Sequence, residues 1–258
     1  MIITTKNYSF MKSKFLKKLS NIFGYKLIEK NLVKNNQSLS ENSILNMKLI
    51  LNNIFSKNKI ENLIQIGAND GVAFDELNFF IKKYKINSIL VEPIYENYEK
   101  LQNNYKNFSF VKLENSAISD DNTINYLYKV DTKFFKYYGN HIPAISSFDN
   151  KHLIKHGVQS SHIKREEVRS LTIKNLLEKY NITNLDLLFV DAEGYDGNIV
   201  GDFLDKVNFR SIIIFEYIHI NNFIFKNLIK KLLAKKYFYF CVSECIIAFP
   251  EEKKIEIS

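Results

Sequence analysis

Residues 63–71, "LIQIGANDG", decide how this chain is read: a short apolar run ends in Gly67, and Gly71 follows four positions later with Asn69 and Asp70 between. Such a run delivers the chain into a turn where glycine permits positive φ and close approach of a ligand to the backbone. A second signal lies at Glu92, which closes the next apolar run, "SILVE". It falls about 20 residues past the turn, where a carboxylate takes the ribose hydroxyls of a nucleoside cofactor. Either signal alone reads as an ordinary turn or an ordinary strand-end acid.

Outward from this pair, short apolar strands alternate with helices. "LIQI" precedes a helix over 74–84, "SILVE" one over 95–105, and "FSFVKLE", "LDLLFVD" and "SIIIFE" follow. Strands of this kind are buried on both faces, which predicts an α/β, doubly wound, Rossmann-like parallel sheet. After a helix in "NFIFKNLIKKLL", "YFYFCV" and "CIIAF" are joined by the tight "SE", so the sheet ends in a C-terminal antiparallel hairpin, as class I methyltransferase sheets do. Between about 123 and 169 the alternation lapses: "TINYLYKV" reads as an extra strand, and the polar, His-rich stretch after it has no period. Long insertions near the carboxyl ends of strands are often substrate lids.

The 258 residues and 46 % hydrophobic content suffice for one large α/β domain, placed at 59–258, with an N-terminal helical extension at 1–58. In that extension Phe10, Phe15, Leu19, Ile22 and Phe23 recur at helical spacing, as do Ile44, Met47, Leu51 and Ile54. Its basic piece, "MKSKFLKKL", suits weak contact with an anionic membrane surface, or packing on its own domain or on a second subunit in a homodimer. A net charge of +8 favours anionic partners, although lysines are scattered through nearly every segment. Two cysteines, Cys241 and Cys245, build no disulfide framework and read as buried thiols of a reduced, cytoplasmic protein. No stretch offers about 18 uninterrupted apolar residues, and the N-terminus lacks a signal-peptide pattern. Any membrane contact would be peripheral, at the inner face.

The carboxylate in the glycine turn narrows the cofactor. A dinucleotide site wants a third glycine and an unopposed helix N-terminus for its pyrophosphate; here Asp70 would meet that pyrophosphate with like charge. S-adenosylmethionine carries no phosphate but a sulfonium and an ammonium, which a carboxylate favours. Whether Asp70 touches the ligand or caps the helix stays open. In "LENSAISDD", Ser116 and the Ala117 backbone suit an adenine edge, and a plain surface turn is as good a reading. The strongest segment is "LDLLFVDAEGYDGNIV", where a buried strand expels Asp191, Glu193 and Asp196 beside Gly194. Acids that close repel one another unless a cation or donor network meets them.

"LIQIGANDG", "LVEPIYENYEKL", "NSAISDD", "ISSFDNKHLIKH", "LTIKNLL", "LDLLFVDAEGYD" and "IIIFEYIHI" follow the order and rough spacing of the FkbM family of S-adenosylmethionine-dependent methyltransferases, which the chain resembles from about Leu63 onward. Its most specific piece is similar to the family's acid-x-Glu-Gly signature; Asp196 stands where many members have glutamate. The resemblance implies methyl transfer from S-adenosylmethionine, most often to a hydroxyl of a sugar, glycan or other small metabolite. It implies that Gly67, Asn69 and Gly71 border the methionine part, Glu92 the ribose, Ser116 and Ala117 the adenine, and that Asp191 and Glu193 face the methyl group; Asp70 and Pro93, in the same segments, are counted with the candidate cofactor contacts. Either of those two acids would serve as base, with a histidine as rival; His219 and Glu216 read equally as acceptor contacts or as satisfied strand-end side chains, and Ser146, Ser147 and His152 of the insertion are the remaining candidate substrate contacts.

His152 and His156 stand four apart and His162 follows, but no cysteine or carboxylate of diagnostic spacing joins them, so no metal is expected. A nucleic-acid acceptor is disfavoured because "VDAEGYD" replaces the Asn/Asp-Pro-Pro-aromatic run of base-amino methyltransferases and its acids repel phosphates. A non-catalytic binding module on the same fold is the other alternative.

Overall fold

Because "LIQI", "SILV" and "LLFV" are apolar on both faces, they can be stable only as interior strands covered on each side. In the computed structural model, which describes residues 47–253 apart from 74, 140 and 141, they form the centre of a seven-stranded sheet. Its strands are β1 (Asn62–Ile66), β2 (Asn87–Val91), β3 (Val111–Glu114), β8 (Leu187–Val190), β9 (Ile212–Glu216), β10 (Tyr237–Val242) and β11 (Cys245–Pro250). Their order is β10-β11-β9-β8-β1-β2-β3, with β1 parallel to both β2 and β8. Only β11 is reversed: it runs antiparallel to β9 and to β10. The chain therefore winds one way from β1 through β3 and returns to the other side of β1 as β8. Open α/β sheets bind ligands at such a switch point.

The helices cover both faces. α1 (Met47–Lys57) buries Leu51, Ile54 and Phe55, and Phe55 stacks on Phe80 of α2 (Asn78–Tyr84) at 4.7 Å between ring centres. α3 (Tyr95–Tyr105) follows β2, α5 (Ile173–Lys179) precedes β8, and α6 (Asp196–Lys206) and α7 (Asn222–Ala234) flank β9. α2 starts at Asn78, later than the apolar pattern suggests, because Asp75 first ties the backbone into a turn by accepting from the N–H groups of Leu77 (2.8 Å) and Asn78 (3.2 Å). The Ser243–Glu244 turn joins β10 and β11, with Ser243 left-handed at φ 53°. Cys241 is exposed and Cys245 half-buried, which corrects the reading of two buried thiols: β10 is the sheet's edge and Cys241 points outward there.

The insertion carries more regular structure than its polarity suggests. β4 (Ala117–Ile118), β5 (Ile124–Val130), β6 (Ser146–Ser147) and β7 (Ile163–Leu171) form a second sheet in the order β4-β7-β5-β6. β7 was invisible in "IKREEVRSL" because Lys, Arg and Glu fill its middle and its apolar contacts are confined to Ile163, Val168 and Leu171. A short helix, α4 (Asn150–Lys155), is capped by Asp149 and buries Leu153 against Val130, Ile142 and Ile145. Buried Lys129 of β5 pairs with Glu96 of α3 and with Glu166 of β7 (2.6 Å), tying the insertion to the sheet's own helix layer. No described helix is long and apolar enough to cross a membrane. The basic helix expected within residues 1–46 lies outside the described residues.

Phe203 of α6 is wholly buried in the cluster that also holds Val190 and Phe215. Phe203→Ala should lower stability by about 3–5 kcal/mol, the usual cost of emptying an aromatic core position. Urea unfolding measures it, and a loss under 1 kcal/mol would show that this helix is not part of the cooperative core.

Candidate active site

At the end of β1 the chain enters the turn at Gly67 with φ +81°. A Cβ there would lie 1.8 Å from the carbonyl oxygen of Asp191 at the end of β8, so only glycine lets the two strand ends meet. Asn69 is left-handed at φ 49° and donates its N–H to Glu92 Oε2 (2.9 Å), while Ile94 donates to Glu92 Oε1 (2.8 Å). Asp70 faces away from the ligand space: its Oδ1 accepts from the N–H groups of Val72 (2.9 Å) and Ala73 (2.7 Å). It is a turn cap. Gly71 also faces away, because a Cβ on it would strike Leu101 and Tyr105 of α3, each at 2.5 Å. Neither Asp70 nor Gly71 lines the cavity.

The cavity lies at the switch point and encloses about 870 Å³ including its open mouth. Gly67, Asn69, Glu92, Pro93, Ser116, Ala117, Asp191 and Glu193 all line it, as does Ser146 of the insertion. Sequence reading missed Gln65, Asp75 and Glu76, and Ala144 and Phe148 of the insertion, which also line it. Gln65 was findable as the single amide inside the apolar run of β1. It donates to Asp75 Oδ1 (3.2 Å), yet its own Oε1, Asp75 Oδ2 and Ser116 Oγ are buried without a hydrogen-bond partner. Buried polar atoms are normally satisfied. Orphaned acceptors on a ligand cavity therefore ask for a donor from the ligand.

Electrostatically the wall is one-signed. Asp75, Glu76, Glu92, Asp191 and Glu193 line the cavity and no lysine or arginine does. Burial pushes Glu92 up to about 7 despite its two backbone N–H donors. Asp191 is accessible from the cavity, but the enclosing walls, and then the charges of Asp196 and Glu193, raise it well above the carboxylate range. Asp196 is fully buried and accepts from the N–H groups of Ala192 and Gly194 (both 3.1 Å), which fixes the acidic loop; burial lifts it to about 7. Burial also raises Asp75 and Glu76.

Glu193 is held in the left-handed region at φ 49°, a cost of about 1–3 kcal/mol for a non-glycine residue, and one found mainly at functional sites. The insertion secures it twice: Ser147 Oγ donates to its carbonyl (2.9 Å), and His152 Nε2 lies 2.7 Å from its Oε2. Ser147, His152, Glu216 and His219 do not line this cavity, and of these Ser147 and His152 bond Glu193. Glu216 is pushed up to about 9 by burial and then by Asp191, and burial, followed by His152, lowers His219.

The sheet order, the reversed penultimate strand in space and the acidic cavity at the switch point define a class I methyltransferase. The sequence profile described as the methyltransferase FkbM domain matches residues 65–239, and the chain belongs to that family, whose methyl donor is S-adenosylmethionine. No curated protein matches the chain. Among solved structures it is similar to the METTL16 methyltransferase domain (11 % identity, TM-score 0.42, covering 75 % of this chain and 61 % of that one). It is also similar to a precorrin-6y C5,15-methyltransferase of Geobacter metallireducens (9 %, 0.40, 78 % and 84 %). A third likeness is to the fibrillarin of Aeropyrum pernix, a complex with natively bound S-adenosyl-L-methionine (10 %, 0.36, 74 % and 67 %).

Folding raises Glu92 and Asp196 from the ordinary carboxylate value near 4 to about 7, so the folded state binds more protons than the unfolded one between these values. Stability of the ligand-free protein should then fall as pH rises from 5 to 7 and, because Glu216 is pushed up to about 9, keep falling more gently toward that value. Melting temperatures across that range test it, with Glu92→Gln flattening the slope; a melting temperature that climbs toward pH 8 would contradict the burial of these acids.

Proposed function

We propose that the protein transfers the methyl group of S-adenosylmethionine to a hydroxyl oxygen of a sugar, glycan or other small metabolite. The observation that carries this reading is the cavity wall of five carboxylates without a basic side chain, at the switch point of the sheet. Such a wall favours a ligand bearing cationic groups and opposes phosphates, so the net charge of +8 does not make nucleic acid the favoured acceptor. When bound, the cofactor supplies an electrophilic methyl group on a positively charged sulfur.

The chain's residues divide the work by position. Glu92, braced by Asn69 and Ile94, keeps a second lone pair on each oxygen for the ribose diol. Ser116 and the Ala117 backbone meet the adenine edge, and the unpaired acceptors of Gln65 and Asp75 take the ammonium N–H groups. Ala144, Ser146 and Phe148 of the insertion complete the wall and exclude water. Asp191 is the proton acceptor: it opens onto the cavity, and among the described residues its side chain makes no hydrogen bond that would occupy it. Asp191 would take the proton that the acceptor hydroxyl gives up when the bound cofactor supplies its methyl group and the sulfur keeps the S–C bonding pair as a neutral thioether. Glu193, fixed by His152 and Ser147, positions the acceptor. Alignment and water exclusion are worth up to about 7–11 kcal/mol in ideal intramolecular cases.

At a hundredfold excess over Kd, S-adenosylmethionine or its demethylated product should add about 2.7 kcal/mol, which is roughly 5–11 °C in melting temperature for a domain of this size. Response to NAD and to neither of these ligands would sink the assignment. Asp191→Asn should lower kcat by about 10²–10⁴-fold, the usual share of a positioned base. Calorimetry should find its affinity for the demethylated cofactor within a few-fold of wild type; unchanged turnover with an active acceptor would remove Asp191 from proton transfer.

A further inference from the structure

The i, i+4 pair of α4 that carried no metal expectation does not stand alone in space. His152 lies on α4 and His156 caps its C-terminus, so the two project on one side, with ring centres 4.7 Å apart. His219, from the loop after β9, lies 4.5 Å from the His152 ring and 5.1 Å from that of His156. Glu193, from the loop after β8, completes the group, and one donor atom from each of the four falls within 4.8 Å of all the others. His162, the third histidine of the insertion, is elsewhere: it stacks on Phe134 at 3.8 Å and hydrogen-bonds the Tyr138 hydroxyl.

We propose that His152, His156, His219 and Glu193 bind one divalent first-row transition-metal ion, zinc foremost, which clasps the insertion to the carboxyl end of the central sheet. Three imidazoles with one carboxylate and no thiolate are a borderline donor set; magnesium and calcium want oxygen ligands. Tetrahedral bonds of about 2.0–2.2 Å place donor atoms about 3.3–3.6 Å apart. Closing the widest pair, and opening the 2.7 Å His152–Glu193 contact, needs side-chain shifts of about an ångström. Four protein donors are the closed set of structural zinc sites.

The ligands also come from where a clasp needs them. Two lie on the insertion and two on consecutive strand-end loops of the main sheet, so an ion joins segments 26 to 67 residues apart in sequence (193 to 219 and 152 to 219). Glu193 is already braced by Ser147 and by its own loop, whose N–H groups Asp196 holds. Outer-shell support of this kind orients metal ligands. The site borders the cavity through Glu193 but does not depend on what the cavity binds.

The test uses the untagged full chain, stripped with chelator and dialysed. Titration with zinc chloride should show one ion per chain, and cobalt(II) should give the visible absorption of four-coordinate nitrogen and oxygen ligation, displaced by zinc. Magnesium should give neither response. His156→Gln and His219→Asn should each weaken zinc binding at least tenfold, while His162→Gln should bind as wild type does. Zinc should also raise the melting temperature and slow proteolysis within residues 142–171. Absence of stoichiometric zinc uptake by the wild type, or undiminished binding by both cluster variants, would overturn the proposal. If the variants fail to fold, the cobalt spectrum of the wild type decides: an octahedral, aqueous-type spectrum refutes the site. Cofactor binding is read separately in the same samples, so loss of one reading leaves the other standing.

Discussion

The close approach of two strand ends governs the rest of the site. β1 and β8 are neighbours in a parallel sheet, and the Asp191 N–H still donates to the Ile66 carbonyl (2.9 Å) where both strands are ending. One residue later no side-chain atom fits between them, since a Cβ on Gly67 would fall within bonding distance of the Asp191 oxygen. The two chains must then part, one toward Glu92 and the other toward Glu193. The space they open is the cavity. Its position is thus a product of sheet winding.

What fills the walls runs against stability. Five carboxylates on one cavity, with Asp196 buried behind them, create negative potential that nothing in the described chain neutralises at the wall itself. Burial, ahead of the neighbouring charges, drives proton uptake: Glu92 and Asp196 are pushed up to about 7 and Asp191 well above its ordinary range. Glu193 adds backbone strain. Such costs persist where the surrounding structure overdetermines the geometry and a ligand gains from it. A cation entering the cavity meets acceptors already oriented by Gln65, Asn69 and Ile94, so little reorganisation remains to be done.

The legibility of the sequence followed burial. β1, β2, β8 and β9 were readable because both faces are covered, and the hairpin at β10 and β11 because its turn is short. The position of Glu92 in the site followed from the same strand logic, being the residue after a buried strand. Asp70 stayed open in the sequence because a carboxylate in a glycine turn serves equally as a cap or as a ligand contact, and it is the N–H groups of Val72 and Ala73 that show the cap. Gln65 and Asp75 escaped because their meaning lies in a pair ten residues apart that only the folded turn brings together. β7 escaped because a half-exposed strand rich in Lys, Arg and Glu has no apolar period to detect.

The histidine cluster shows why the insertion is the hardest segment to read and the one with the most to decide. Its helix is six residues long and could not persist alone. It is held by Leu153 in a small apolar cluster, by Ser147 and His152 on Glu193, and by Phe148 against Tyr195 at 4.9 Å. Each of these partners lies more than 40 residues away or in another layer of the fold, except those within the insertion's own core. The same few residues supply one wall of the cavity and two of the four clustered donors. Any change that reshapes this segment therefore alters the cavity wall and the placement of His152 relative to Glu193 together.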